Sequence, residues 1–540
     1  MLLLVFFLFL SNISLLVQAK ERTFELNVTM DDWSPDCRSE QKVPLINNQY
    51  PGPPLYATTN DTVHVIVRNH GEEPTTIHFH GILQIGTTEA DGLPGVTQAP
   101  IPPGGEFHQR FQLIDQAGTF FYHAHVGLQD DFIQGPLIVY PNDHAWPTAD
   151  GDNDGEKTTR DGPYQYDDER IVQLSEWWAQ DAAQRLDYYM GSTYDGLIAA
   201  DYYLINGRAP SQAIHNKGVE CKGYAAMEVT HDGNMIEPYD TDYLEVSSGQ
   251  RYSVLVTMDQ SPDHSYRMDV KPYWITNTTA TGKAVLAYTK ESSPQRLWPT
   301  RPQLASDHTK PIFPKEVSQW VFPELKPLDA PTTTKLDFEH PPDRTIVLMP
   351  KEHLDPLALT TRWLINGHAM PDWSMPLLEQ LRQESFRHEL NATTVRLNKV
   401  ESGDGYDDNL QTYPIQHKEV VDVVVHTSTL LNHGVCAAHP WHTHGFVHYP
   451  IAHGSGKYNH AKDKNLRTYA HPVAKDTTLI YPDKDNFHNQ AGVPCGWTKL
   501  RIYADNPGLW GFHCHITGHM LQGMMVVVEM GTDRIKYLQG

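Results

Sequence analysis

Runs of β-branched residues recur along the chain and set the first expectation. Thr62-Val63-His64-Val65-Ile66-Val67 alternates polar and apolar positions, the signature of a strand with one face buried. Tyr252-Ser253-Val254-Leu255-Val256 and Val420-Val421-Asp422-Val423-Val424-Val425 read as further strands. Gly, Pro and Asn interrupt such runs at close intervals, and long stretches of helical period are scarce. Pro376 to Phe386 is a short helix on its pattern. Many short strands with frequent turns predict an all-β chain of Greek-key sandwiches or barrels.

A repeat underlies the pattern. Leu45-Ile46-Asn47-Asn48 precedes Tyr50-Pro51, Leu204-Ile205-Asn206-Gly207 precedes Arg208-Ala209-Pro210, and Leu364-Ile365-Asn366-Gly367 precedes His368-Ala369-Met370-Pro371. The isoleucines stand at 46, 205 and 365, intervals of 159 and 160 residues. One such match is ordinary turn chemistry; two nearly equal intervals point to three copies of one domain. The expected division is 20–147, 169–325 and 343–540. An acidic linker at 148–168 and a Pro/Thr-rich one at 326–342 separate them. Asp150, Asp152, Asp154, Gly155 and Asp161 mimic the spacing of a calcium loop. Lys157 occupies its apolar position and no flanking helices are readable, so the stretch reads as solvated linker.

Composition narrows the function. The 540 residues hold 42 Lys and Arg against 66 Asp and Glu, a net charge of −24, which disfavours nucleic acid and anionic lipid as partners. Residues 1–19 read as a signal peptide: Met1 to Leu10 is apolar, and Val17-Gln18-Ala19 offers a small-residue cleavage site. No later stretch reaches the ~18 apolar residues of a membrane span. Triplets at Asn27, Asn60, Asn277 and Asn391 fit glycosylation. The expectation is a secreted, extracellular protein with no membrane span in its mature form.

Five cysteines in an oxidising compartment leave one thiol over, and four can pair in three ways. Spacing does not choose among them. Cys37–Cys221 with Cys436–Cys495 is the working expectation, leaving Cys514 free because of its neighbours.

Ten of the thirty histidines lie in four motifs: His78-Phe79-His80, His123-Ala124-His125, His439-Pro440-Trp441-His442-Thr443-His444, and His513-Cys514-His515-Ile516-Thr517-Gly518-His519. On a strand, residues i and i+2 share a face, so each His-x-His is a pair of imidazoles pointing one way. Eight paired imidazoles exceed what a single ion takes and suit a cluster of three. Cys514 faces away from its flanking histidines. With His439, His519 and Met524 it forms the two-His, thiolate and thioether set that favours copper. Structural zinc wants one closed four-ligand site and does not explain eight paired rings.

These motifs, in this order, resemble those of the multicopper oxidases, the family of laccases, ascorbate oxidases and ferroxidases. The resemblance covers nearly the whole chain and implies three cupredoxin-like β-barrel domains and four copper ions. It implies that His78 and His442 bind type 2 copper, and that His80, His123, His125, His444, His513 and His515 bind the type 3 pair. His439, Cys514, His519 and axial Met524 would bind type 1 copper. Electrons from a small-molecule reductant would enter at the edge of His519, near the surface, and pass through Cys514 to the cluster, where O2 goes to water. The middle domain would be mainly a spacer and a wall of the substrate pocket.

Asp91, in Ala90-Asp91-Gly92, resembles the family's carboxylate near type 2 copper and is the expected proton relay. Many relatives carry an acid where this chain has Thr517, so the resemblance does not extend to a second relay there. Glu176, in Ser175-Glu176-Trp177-Trp178, resembles a donor-pocket position and would orient a phenol or bind Fe(II). Gly118 to His123, Asp201 to Arg208 and Ala504 to Trp510 look like the laccase and ascorbate-oxidase branch. Residues 431–438 hold no carboxylate, which weighs against iron. Organic donors, phenols or ascorbate, are therefore expected, with Fe(II) oxidation the alternative. A non-catalytic extracellular copper-binding protein is a reading of another class, but every ligand position is filled.

Overall fold

The computed structural model describes residues 19–142 (without 37–39), 164, 166, 169–209, 235–287 with short gaps, 313–314, 322–328, 336–383 and 405–539 without 432–433 and 483–489. Residues 1–18 of the signal segment, nearly all of the first linker, residues 329–335 of the second, Cys37, Cys221, Asn277 and Asn391 lie outside the described residues. Among the described residues no helix is long and apolar enough to cross a membrane.

The first unit is two facing four-stranded sheets. One runs Gln41–Ile46, Glu21–Trp33, Thr62–Asn69, Glu106–Gln112; the other runs Leu55–Thr58, Gln134–Tyr140, Gly118–Ala124, Ile77–His80. Thr62–Asn69 shows why they face each other: every second residue is buried, so Val63, Val65 and Val67 enter the core with Phe79, Phe111 and Leu137.

The last unit repeats this plan. Arg344–Leu348, Val420–Ser428, Pro494–Tyr503 and His448–Gly454 form one sheet. Tyr413–Ile415, Met525–Met530, Gly508–Cys514, His439–Thr443 and Thr477–Ile480 form the other, and Pro350–Asp355 pairs with Thr360–Ile365. In both units each main sheet contains one parallel pair, as Leu55–Thr58 beside Gln134–Tyr140 matches Tyr413–Ile415 beside Met525–Met530. Among the described residues of the middle region, Leu174–Trp177 pairs antiparallel with Tyr202–Ile205, and Ser265–Val270 with Gly282–Ala287.

The expectation of an all-β fold of closed Greek-key barrels is corrected. The sheets are open, and helices Ala182–Met190, Leu377–Arg382, His460–Asp463 and Thr517–Leu521 make the architecture mixed. Alternation along a strand reports a buried face; it does not report whether edge strands pair with each other, which decides closure. Tyr252–Val256, expected as a strand, forms none. The predicted helix is present as Leu377–Arg382, with three leucines buried.

The repeat has a structural cause. Asn47, Asn206 and Asn366 all adopt left-handed backbone (φ 50°, 48° and 55°), each followed by a second positive-φ residue, Asn48, Gly207 and Gly367. Each pair closes a two-residue turn, with bridges Ile46↔Gln49, Ile205↔Arg208 and Ile365↔His368. The asparagine side chain then braces a neighbouring segment in the same way three times. Its Oδ1 accepts from Asn27, Gln173 or Met349 N, and its Nδ2 donates to Glu25, Ile171 or Val347 O. Asn tolerates this backbone and offers both a donor and an acceptor.

Candidate metal centre

Two equivalent strand pairs, one in each outer unit, bring the histidines together. His78 stands opposite His123 where Ile77–His80 pairs with Gly118–Ala124, and His442 stands opposite His513 where His439–Thr443 pairs with Gly508–Cys514. His125, His444 and His515 each follow a strand end by one residue. The two halves interleave: His78 stacks on His444 at 3.8 Å between centroids, and His80 on His442 at 3.6 Å. Donor atoms of His78, His442 and His444 lie within 4.8 Å of one another, as do those of His125, His444 and His513, and of His78, His80 and His123. His515 Nε2 is 3.1 Å from His80 Nδ1. All eight rings are buried.

The outward nitrogens of four of these rings are held by backbone carbonyls. Nδ1 of His78, His123, His442 and His513 donates to the carbonyls of Asp91 (2.7 Å), Ala124 (2.8 Å), Asp476 (2.9 Å) and Cys514 (3.0 Å). A carbonyl only accepts, so Nδ1 holds the hydrogen and Nε2 presents its lone pair inward. The Nε2 atoms of His78 and His442 face each other at 3.4 Å, and those of His123 and His125 are buried without a hydrogen-bond partner. Burial pushes His80, His123, His125, His442 and His444 well below the usual imidazole range, His515 to about 4 and His513 to about 3. Neutral rings with converging, unpartnered lone pairs fit cations.

A second pocket lies within the last unit. Cys514 Sγ is 3.7 Å from His439 Nδ1 and 3.9 Å from His519 Nδ1, and these three donors group within 4.8 Å. Helix Thr517–Leu521 turns His519 back toward the strand that carries Cys514. The pocket is apolar: Trp363 packs edge-on against both histidines at 5.4 Å, and Met524 and Trp441 share the core around the sulfur. Met524 O accepts from Cys514 N at 2.9 Å. Burial pushes the thiol up to about 12, so a thiolate needs a cation beside it. Cys514 is the free cysteine among the described residues, and Cys436–Cys495 is bonded as expected. His519, expected near the surface, is only 3% exposed, so its edge is covered.

Asp91 is fully buried; its Oδ2 accepts from His444 Nδ1 at 2.9 Å and its Oδ1 lies 3.4 Å from His78 Nδ1. Gly92 permits this approach, because a Cβ there would sit 2.0 Å from Ile77 O. Glu176 lies farther out, with Tyr203, Asp131 and Arg185; burial and then Asp131 raise its pKa to about 7, against Arg185. Thr517 donates to Asp130 Oδ2 at 2.5 Å, and burial followed by Asp131 pushes the Asp130 carboxyl up.

The sequence reading missed the partners of the cluster's third side. Arg251 grips Asp476 with two hydrogen bonds, 2.7 and 2.8 Å, and Asp476 Oδ1 accepts from His80 Nε2 at 3.2 Å. Burial works against the Asp476 charge, yet Arg251 holds its pKa below the ordinary value. Ser248 Oγ is 3.1 Å from His515 Nδ1, and a Cβ on Gly249 would lie 2.9 Å from the His515 ring. The middle region is therefore more than a spacer. Only the unexplained polarity of Ser247 to Arg251, set between apolar residues, could have signalled it.

Sequence profiles of the multicopper oxidases match residues 27–144, 223–291 and 371–534, together more than half the chain. The chain belongs to the multicopper oxidase family, and it is a copper-dependent oxidoreductase with O2 as acceptor. It is similar to the L-ascorbate oxidase of Cucurbita maxima (28% identical, covering 95% of this chain and 91% of that protein). Laccase-4 of Arabidopsis thaliana is 27% identical over 94% and 92%. Among solved structures, Fet3p, described as a multicopper oxidase that functions in iron import, shares the fold at TM-score 0.68. It is 21% identical over 96% of this chain and 93% of its own. The laccase of Botrytis aclada does so at TM-score 0.66, 22% identical over 96% and 89%.

Proposed function

We propose that this chain is a secreted, laccase- or ascorbate-oxidase-like enzyme that oxidises small organic reductants one electron at a time. Four copper ions would occupy the two sites: type 1 on His439, Cys514, His519 and Met524, type 2 on His78 and His442, and the type 3 pair on His80, His123, His125, His444, His513 and His515. Bound there, copper would supply one-electron acceptance at the sulfur and four-electron reduction of O2 to water at the cluster. The observation that carries this reading is the pair of buried donor sets, joined through the continuous backbone of His513, Cys514 and His515.

The remaining chemistry belongs to the chain's own residues. Asp91 and the Asp91 carbonyl orient His444 and His78 and place a carboxylate where protons are needed. The Arg251–Asp476 pair fixes His80, and the apolar wall of Trp363 and Trp441 keeps water from the sulfur. The relatives named above include ascorbate oxidases and laccases, which supports an organic donor. The test is kcat/KM for ascorbate, 2,6-dimethoxyphenol and Fe(II), in wild type and Glu176→Ala. Organic donors should dominate in wild type; a preference for Fe(II), lost selectively in Glu176→Ala, would reverse the assignment.

A further inference from the structure

Resting on the type 1 assignment above, we infer that electrons enter through Tyr194 and Tyr188 rather than by contact of the donor with His519. The imidazole that would pass electrons to Cys514 is buried, and Tyr194, itself 2% exposed, covers its outer edge. His519 turns Nδ1 toward Cys514, so Nε2 carries the hydrogen and donates to the Tyr194 oxygen at 3.2 Å. Tyr188 packs on Tyr194 with 5.6 Å between ring centroids, and Tyr188 is the half-buried member. Its hydroxyl bonds the exposed carboxylate of Asp195 and the Gly196 carbonyl, while Asp195 N donates back to it at 3.1 Å. The result is a row from surface phenol to buried phenol to imidazole to thiol.

This cover is built into the fold. The segment after helix Ala182–Met190 is fastened to the last unit by the Gly191↔Thr360 bridge and by Thr361 Oγ1 donating to Gly191 O at 2.9 Å. Gln522 donates to Tyr189 O at 2.5 Å. Beneath it, Gly518 leaves room for Tyr189 and Leu197, which a Cβ would approach to 3.2 Å. A donor that displaced Tyr194 would have to break these bonds and uncover the apolar cluster of Leu128, Tyr189 and Tyr194.

The step balances simply. One donor molecule would lose one electron, which would cross Tyr188, Tyr194 and His519 to copper held by Cys514, the acceptor that turnover with O2 would keep oxidised. Both phenols end as they began. Where the donor is a phenol or enediol, its O–H proton passes to the Asp195 carboxylate and then to water. The port thus selects donors by how they meet Tyr188 and Asp195, so planar phenols and enediols suit it.

The test follows bleaching of the visible Cys514-centred band by 2,6-dimethoxyphenol without oxygen. Tyr188→Leu and Tyr194→Phe should each slow bleaching at least about tenfold, with copper content and reoxidation by O2 unchanged. In copper-free protein labelled with 15N-histidine, Tyr194→Phe should also move the His519 Nε2 resonance, a readout independent of turnover. Unchanged bleaching in both variants, an unmoved resonance, or faster bleaching in Tyr194→Ala would each overturn the port and leave Tyr194 a mere cover. A wild-type protein that binds copper without developing the band would instead overturn the type 1 assignment on which the port rests.

Discussion

The two donor sets are built by opposite strategies. The Cys514 pocket is assembled from residues 439–524 of one unit, enclosed by Trp363, Trp441 and Met524, and needs nothing from elsewhere except the Tyr194 cover. The eight-histidine cluster has no home in any one unit. It takes four rings from the first, four from the last, and its braces from Ser248 and Arg251 in the middle region. An apolar pocket within one core holds its ligands by packing. A seam between units must hold them by hydrogen bonds to their outer nitrogens, as Asp91 and Asp476 do here for His444 and His80. The contrast predicts that the sites fail separately.

The sharpest break is Cys514→Ser. It should abolish the visible band, cost one copper by elemental analysis and lower kcat by about a thousandfold, while the cluster keeps its metal. Next comes the seam: Asp476→Asn or Arg251→Gln frees His80 and should weaken cluster copper by about 10–100-fold, measured by chelator competition, with the band at Cys514 intact. If the band vanished as well, the two sites would not be independent. Asp91→Asn should slow oxygen reduction by about tenfold and leave anaerobic reduction of the Cys514 site untouched; unchanged turnover would remove the proton role from Asp91.

The smallest effect concerns stability at Glu176. Its folded pKa is raised from 4.5 to about 7 by burial and then by Asp131, so the folded state binds this proton more tightly than the unfolded chain does. That contribution is complete below about pH 4.5 and is lost as pH rises through about 7. Glu176→Gln should therefore melt like wild type near pH 4 and about 2–3 °C higher above pH 7. A gain that is equal at both pH values would contradict the assignment.

What was legible in the sequence is what depends on near neighbours. The His-x-His spacing placed paired rings because alternation is a property of one strand. The Asn-Asn and Asn-Gly turns announced the repeat because left-handed backbone selects Asn and Gly locally. Cys436–Cys495 came as expected, whereas Cys37 and Cys221 lie outside the described residues. Relations across long separations stayed hidden. Arg251 meets Asp476 over 225 positions and Tyr194 meets His519 over 325, and no periodicity encodes either. Sheet closure was misread for the same reason, since it depends on edges that meet only in three dimensions. Tyr252–Val256 has strand composition, yet it is not a strand among the described residues.

The proposed enzyme holds four redox-active copper ions in two buried donor sets. The most direct measurement loads the purified chain with copper and records metal stoichiometry, the visible spectrum and oxygen uptake on one sample. Four copper ions per chain are expected, with a blue band that disappears in Cys514→Ser and donor-dependent consumption of O2 without peroxide. A copper-loaded protein that stays colourless and consumes no oxygen would contradict this reading.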